Sequence, residues 1–144
     1  MNLPSYMSGV LFTKSHKLVR NKVQEVLEQY DLGFTYWSIL SATKQAPEGI
    51  RLANVAAQLG VKAPMVTTEA STLIDKGLVR RIPHHSDRRA KLLVITPEGK
   101  KLVAAVEAKL NLVVGMLLEG LSTEEIGSFQ RTLETIIANS QKES

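Results

Sequence analysis

Residues 51–96 read RLANVAAQLGVKAPMVTTEASTLIDKGLVRRIPHHSDRRAKLLVIT, and two helical periods followed by two strand-like runs fit them in order. Leu52, Val55, Ala56 and Leu59 recur at i, i+3, i+4 and i+7, which places one apolar stripe on a short helix. Gly60 ends that helix, since glycine takes up the positive φ of a helix terminus without steric cost. Pro64 suits the first turn of the next helix, where its missing N–H would have no partner anyway. The second helix, expected over 63–76, buries Val66, Ala70, Leu73 and Ile74. This leaves Pro64, Thr68, Ser71, Thr72 and Asp75 near the opposite side, with Met65 and Thr67 on its flanks. Gly77 closes it. Residues 78–82 and 92–95 then read as strands, joined by the loop His84-His85-Ser86-Asp87-Arg88-Arg89-Ala90-Lys91. A sharp helix-to-helix turn followed by a hairpin is a winged helix-turn-helix, and the fold class is mainly α with a small β-hairpin wing.

Outward from this unit the pattern is helical. After a lead containing Pro4, residues 5–30 carry Phe12, Val19, Val23, Val26 and Tyr30 on one stripe, widened by Leu11, Leu18 and Leu27. So broad a stripe on a long helix predicts two surfaces to cover, one on its own domain and one on a partner. Asp31-Leu32-Gly33 interrupts it, and a helix over 34–44 follows with Trp37, Ile39 and Leu40 inward and Gly33 or Thr35 as cap. Ala46-Pro47-Glu48-Gly49 is a turn. On the far side, Thr96-Pro97-Glu98 starts a helix with an N-cap, a proline at the first position and an acid at the positive end of the dipole. Its apolar seam is Leu102, Val106, Leu110, Val113 and Leu117, flanked by Val103, Val114 and Leu118. After Gly120, Ser122 and Glu125 form a capping box for a last helix with Ile126, Phe129, Leu133, Ile136 and Ile137 at heptad-like intervals, and residues 140–144 are expected to fray. Three units result: an N-terminal dimerisation helix (1–33), the winged helix-turn-helix (34–96) and C-terminal dimerisation helices (97–144).

The chain of 144 residues has a 44% hydrophobic content, enough for a real core. Its 18 Lys and Arg against 14 Asp and Glu give a net charge of +4, but the excess is local. Residues 1–50 net +1, residues 51–100 net +5 and residues 101–144 net −2. A basic middle between near-neutral and acidic flanks suits a phosphate-facing module, whereas a merely solvated surface would spread its excess. With no cysteine, disulfides, thiolate metal sites and thiol redox sensing are excluded. No apolar run approaches a membrane span and no signal peptide is legible, so a cytoplasmic protein without membrane association is expected. His84-His85-Ser86-Asp87 holds the residue types of a catalytic triad, yet adjacent loop residues cannot adopt its geometry, and no nucleophile elbow or glycine-rich phosphate loop occurs. Neither an enzyme nor a cofactor is expected.

The expected chemistry is that of nucleic-acid recognition. Met65, Thr67, Thr68, Ser71 and Thr72 suit base edges and thymine methyls in a major groove. Lys62, Lys76, Arg80, Arg81, Arg88, Arg89 and Lys91 surround that helix in sequence and suit phosphates. Glu69 is expected to pair with an arginine or to sit off this face. A winged helix used for protein contacts or for RNA is the alternative. RNA modules display exposed aromatics for stacking, whereas the seven aromatic residues here fall mostly at core spacing.

The run Gly77-Leu78-Val79-x-Arg81, then Asp87-x-Arg89-x-x-x-Leu93-x-Ile95-Thr96-x-x-Gly99, resembles the signature of the MarR family of bacterial transcription regulators. The resemblance extends over nearly the whole chain, since that family flanks its winged domain with helices that build a homodimer. It implies a regulator, more often a repressor, that binds pseudo-palindromic double-stranded DNA. It further implies that Asp87 holds a nearby arginine while Arg89 enters or borders the minor groove; the alternative is that Asp87 merely starts a turn and Arg88 and Arg89 lie in solvent. The family often has an arginine where this chain has Thr68, a Ser or Thr helix cap where it has Ala53, and glutamine where it has Tyr36. A small aromatic ligand is implied in the crevice between arm and winged domain. Phe12, His16, Tyr36 and Trp37 would line it, with His16 or Arg20 as polar contact for an aromatic acid or phenol. The plainer readings are core filler for Tyr36 and a polar boundary residue for His16.

Overall fold

A computed structural model describes residues 6–143. A π-helical run, Tyr6–Leu11, leads into α1 (Phe12–Glu28), and α2 (Phe34–Gln45) follows. The winged unit continues with β1 (Ile50–Arg51), α3 (Leu52–Leu59), α4 (Ala63–Asp75), β2 (Val79–Pro83) and β3 (Lys91–Ile95). The chain closes with α5 (Pro97–Leu117), α6 (Thr123–Ser140) and a 3₁₀ turn, Gln141–Glu143. The expected lead at Pro4, the helix start at Ser5 and the terminal Ser144 lie outside the described residues. The frayed tail is shorter than expected, because helical backbone continues through Ser140. Among the described residues no helix is long and apolar enough to cross a membrane.

The helix-turn-helix forms as its residues dictate. Val55 and Ala56 of α3 and Val66, Ala70 and Leu73 of α4 are buried, and Gly60 takes the left-handed conformation (φ 64°, ψ 32°) between them. Its Cβ-free backbone makes the tight turn possible. The sheet is antiparallel in the order β1-β3-β2, with Val79 opposite Ile95 and Arg81 opposite Leu93. The third strand was absent from the sequence reading. At two residues, Ile50 and Arg51 carry no readable alternation, and their pairing with Leu93 and Leu92 is a tertiary event. It also relocates the helix cap expected at Ala53. Strand β1 abuts α3 without a loop, so the cap is Arg51, with no side-chain cap bond.

One continuous core joins the winged unit to its flanking helices. Leu27 of α1, Ile39 and Leu40 of α2, Leu73 of α4, Leu93 of β3 and Val103 and Val106 of α5 are all fully buried in it. The lower half of α1 is therefore spent on its own chain, whereas Phe12, Leu18 and Val19 in its upper half, and Val10 and Leu11 in the run before it, are exposed. The same division holds at the other end. Leu112, Met116 and Leu117 near the end of α5 are exposed, and α6 has no buried residue at all, with Phe129, Ile136 and Ile137 open.

The wing meets the arm at Thr96. Its Oγ1 accepts from the Gly99 N–H (3.1 Å) as N-cap of α5 and donates to the Gly77 carbonyl (2.6 Å), while its own N–H donates to the Leu78 carbonyl (3.1 Å). Gly99 is needed here for space: a Cβ would overlap the Leu78 carbonyl oxygen and come within 2.8 Å of Ile95 Cγ1. Thr96→Ala should cost about 2 kcal/mol, a cap plus a hydrogen bond, whereas Thr96→Ser should retain most of it. Urea denaturation of the two variants checks this, and equal stabilities would refute the double role.

The Ser122 cap of α6 is the capping box read from the sequence: Ser122 Oγ accepts from Glu125 N–H (3.2 Å) and the Glu125 carboxylate accepts from Ser122 N–H (2.7 Å). The Ser122 backbone N–H, foremost, and the Ser122 hydroxyl favour the ionised form and hold the Glu125 carboxyl below its ordinary value of 4.5. The carboxylate's contribution to α6 is thus present above that ordinary value and lost as pH falls through the lowered one. Carboxyl-resolved NMR titration should give Glu125 a midpoint below 4.5, moving upward in Ser122→Ala.

Candidate nucleic-acid interface

Helix α4 turns its Val66, Ala70 and Leu73 edge into the core, which leaves Lys62 at its N-cap and Pro64, Met65, Thr67, Thr68 and Ser71 exposed, with Thr72 half-buried beside them. The face contains no cation along its length. Each of its hydroxyls donates back to the carbonyl four residues earlier: Thr67 to Ala63 (3.1 Å), Thr68 to Pro64 (3.1 Å), Ser71 to Thr67 (3.0 Å) and Thr72 to Thr68 (3.4 Å). Ser and Thr in helix interiors commonly satisfy their O–H this way. The oxygens then offer acceptor lone pairs outward, and the threonines add methyl groups. Glu69 does not belong to this face. It is half-buried, with Oε2 enclosed and unbonded, so it stands off the surface as the second of its two expected arrangements required.

The cations lie around the helix. Lys76 caps its C-terminus, and its Nζ lies 5.8 Å from the Tyr36 ring centroid, close enough for a cation–π contact. Arg80 and Arg81 are exposed on β2, an edge strand. Alternation sends them to opposite faces, Arg81 with Val79 and Leu93, Arg80 with Ile82 and Val94, so the pair cannot address one phosphate together. At the wing tip the His84 N–H donates to the Ala90 carbonyl (3.1 Å), the His84 and His85 rings stack at 4.4 Å, and the Ser86 N–H donates to His84 Nδ1 (3.2 Å). Asp87 departs from the expected ion pair. Its Oδ1 accepts from the Arg89 backbone N–H (3.0 Å), a tight local turn, and Arg88 and Arg89 are exposed. The two ion pairs among the described residues lie elsewhere, Lys22 with Glu25 and Lys44 with Glu107, the latter tying α2 to α5.

A second feature lies between arm and winged unit: an open-sided cavity of about 600 Å³ lined by α1, α2, β1, α3 and α5. Of the residues expected around a ligand, it contains Trp37 alone. Adjacent helical residues point about 100° apart, and Tyr36 faces away from Trp37 toward Lys76, in a small recess with Glu28 and Asp31. Phe12 and His16 are exposed along the outer half of α1, and the Arg20 guanidinium packs 4.4 Å over the Phe34 ring rather than into the cavity. The sequence reading missed Ser38, Ser41 and Ala42, which with Trp37 form the α2 wall, and Gln58 and Leu110 opposite. A signal was present: Ser38, Ser41 and Ala42 are small residues at i, i+3 and i+4 on an otherwise bulky helix, a stripe that cannot fill the space beside an indole.

Comparison with known proteins agrees with this architecture. Residues 35–91 match the model of the MarR family. CouR from Rhodococcus jostii RHA1, solved bound to p-coumaroyl-CoA, superposes with a TM-score of 0.82 at 28% identity, over 89% of this chain and 90% of that one. A MarR-family transcriptional regulator from Rhodococcus sp. RHA1 gives 0.82 at 26% identity, over 94% and 96%. The transcriptional regulator PA3341 gives 0.81 at 28% identity, over 93% and 98%. The winged domain thus matches the MarR family, and the chain shares the fold of those transcriptional regulators along most of its length.

Proposed function

We propose that this chain is a cytoplasmic, DNA-binding transcription regulator that acts as a homodimer on pseudo-palindromic duplex operators, as a repressor released by a small aromatic ligand. The observation that carries the reading is the division of labour around α4: an exposed face of methyls and acceptor oxygens without a cation, flanked in sequence by the exposed Lys62, Arg80, Arg81, Arg88 and Arg89. Uncharged short side chains read base edges by accepting from cytosine and adenine amino groups and by touching thymine methyls. Cations on the strand and wing neutralise phosphates and hold the register. In this reading residues 34–96 are the DNA-binding unit, with Met65, Thr67, Thr68, Ser71 and Thr72 in the major groove. Arg89 lies at the adjacent minor groove, where a narrow groove concentrates negative potential, and Asp87 shapes the wing turn. Residues 1–33 and 97–144 form the arm. The exposed apolar residues of α1, α5 and α6 lie on both terminal segments, and a second copy with the same faces covers them.

Two α4 helices held by such an arm address half-sites roughly 34 Å apart. A ligand in the cavity releases DNA by binding more tightly when the two helices are misplaced for that spacing; a tenfold preference contributes about 1.4 kcal/mol.

Footprinting should reveal a two-fold symmetric site, and Arg89→Ala should weaken binding to many sequences while reducing the salt slope by about 1. Thr68→Val keeps the methyl but removes the acceptor, so it should leave the salt slope unchanged and shift base preference by about 1–3 kcal/mol at one position. An Arg89→Ala protein with unaltered affinity and salt slope would remove the wing from the interface.

Phe129→Glu and Ile137→Glu place charges on residues that are already exposed in the single chain, so the fold of the protomer should survive while association fails. Sedimentation velocity should return monomers that have lost operator affinity. Persistent dimers would exclude α6 from the interface.

A further inference from the structure

Resting on the ligand-responsive reading above, we infer that the cavity between arm and winged unit accepts an uncharged aromatic molecule bearing one hydrogen-bonding group and rejects aromatic carboxylates, with Ser41 as its polar contact. The first observation is the chemistry of the wall. Among the residues that line the cavity there is no Lys, Arg, His, Asp or Glu; the polar groups are the hydroxyls of Ser38 and Ser41 and the amides of Gln45 and Gln58. The rest is apolar, and Trp37 and Phe34 supply flat surfaces against which a ring can stack. A carboxylate entering such a space loses its hydration without gaining an ion pair, a cost that neutral molecules of the same shape do not carry. Arg20, whose guanidinium lies 4.4 Å over the Phe34 ring, is not itself among the lining residues and is engaged by that ring.

The second observation is an unsatisfied hydroxyl. Ser38 Oγ donates to the Phe34 carbonyl (2.9 Å), but Ser41 Oγ is enclosed and has no hydrogen-bond partner. A buried hydroxyl left unpaired is costly. Rotation about χ1, between staggered wells of a single short side chain, turns that oxygen toward the cavity its residue lines. A phenol, ester or ketone oxygen there supplies the missing bond. The volume of about 600 Å³ suits one or two rings, and a larger polar portion of any ligand stays outside the apolar walls.

The chain contains a single tryptophan, and it lines the cavity, so its fluorescence reports occupancy without reference to DNA. The full-length protein is titrated at pH 7 with methyl 4-hydroxybenzoate and with 4-hydroxybenzoate, which share a ring and differ in charge. The ester is expected to change Trp37 emission and to bind at least tenfold more tightly than the acid. Ser41→Ala should weaken the ester by roughly two- to tenfold without lowering the melting temperature of the free protein, because the change deletes an unpaired group. A structural serine would instead destabilise the protein when removed. Equal or tighter binding of the acid overturns the inference, as does unchanged emission with both probes at millimolar concentration. So would emission that responds only to dimerisation, which would mean a second copy fills the space. DNA release is read separately on a labelled operator: ester binding without release supports the ligand class while removing the effector role.

Discussion

The arrangement of the molecule depends on the cluster of hydrogen bonds at Thr96. Through that one residue the carbonyls that end α4 and open β2 are fastened to the first turn of α5, and Gly99 lets the backbones approach so closely that no side chain fits between them. Four elements meet there: the end of α4, both wing strands and the arm. The joint has little slack, since a backbone-to-backbone bond and a cap bond cannot stretch by an ångström and survive. The direction of α4 relative to α5 is thereby constrained at this joint. Lys44 and Glu107 add a second tie between α2 and α5.

That rigidity gives the cavity its significance. Its walls come from the arm helices α1 and α5 and from α2, β1 and α3 of the winged unit, so anything that alters its width acts on the angle between the two. Small side chains on α2 leave the space, and the core around Leu40 and Val106 keeps it from collapsing. At the wing tip, by contrast, the hydrogen bonds are local. Asp87 closes its own turn on the Arg89 amide, leaving both neighbouring guanidinium groups without a protein partner among the described residues.

Most of the fold was legible in the sequence because its elements are bounded by residues with strong local preferences. Gly60 and Pro64 marked the helix-turn-helix, Thr96 and Pro97 the start of α5, and Ser122 with Glu125 the start of α6, and each cap has the geometry its residues imply. What was not legible depends on partners distant in the chain. Strand β1 exists because β3 offers it an edge, and with β1 in place the cap of α3 falls on Arg51 rather than Ala53. The exposed side of α4 followed from helical periodicity, but the back-bonding of its hydroxyls needed coordinates. Of the residues expected around a ligand, Trp37 lines the cavity, whereas Tyr36, one residue away, faces Lys76, and Phe12, His16 and Arg20 lie along the outside of α1. Periodicity names a helix face; it does not say which neighbour stops short of filling the opposite wall.

The apolar faces of α1 and of α5 and α6 are far apart in the order of synthesis. The first of these helices leaves the ribosome with Val26 and Leu27 bound for a core that is completed only by Val103 and Val106, some eighty residues later. In the interval the winged unit can order itself from near-neighbour contacts, whereas α1 lacks α5, its main packing partner. Assembly of the arm is therefore the last event in the birth of the molecule. A pause or truncation in the final third of the chain would leave an ordered winged unit trailing a bare, adhesive helix, the state in which a newborn chain most needs a chaperone.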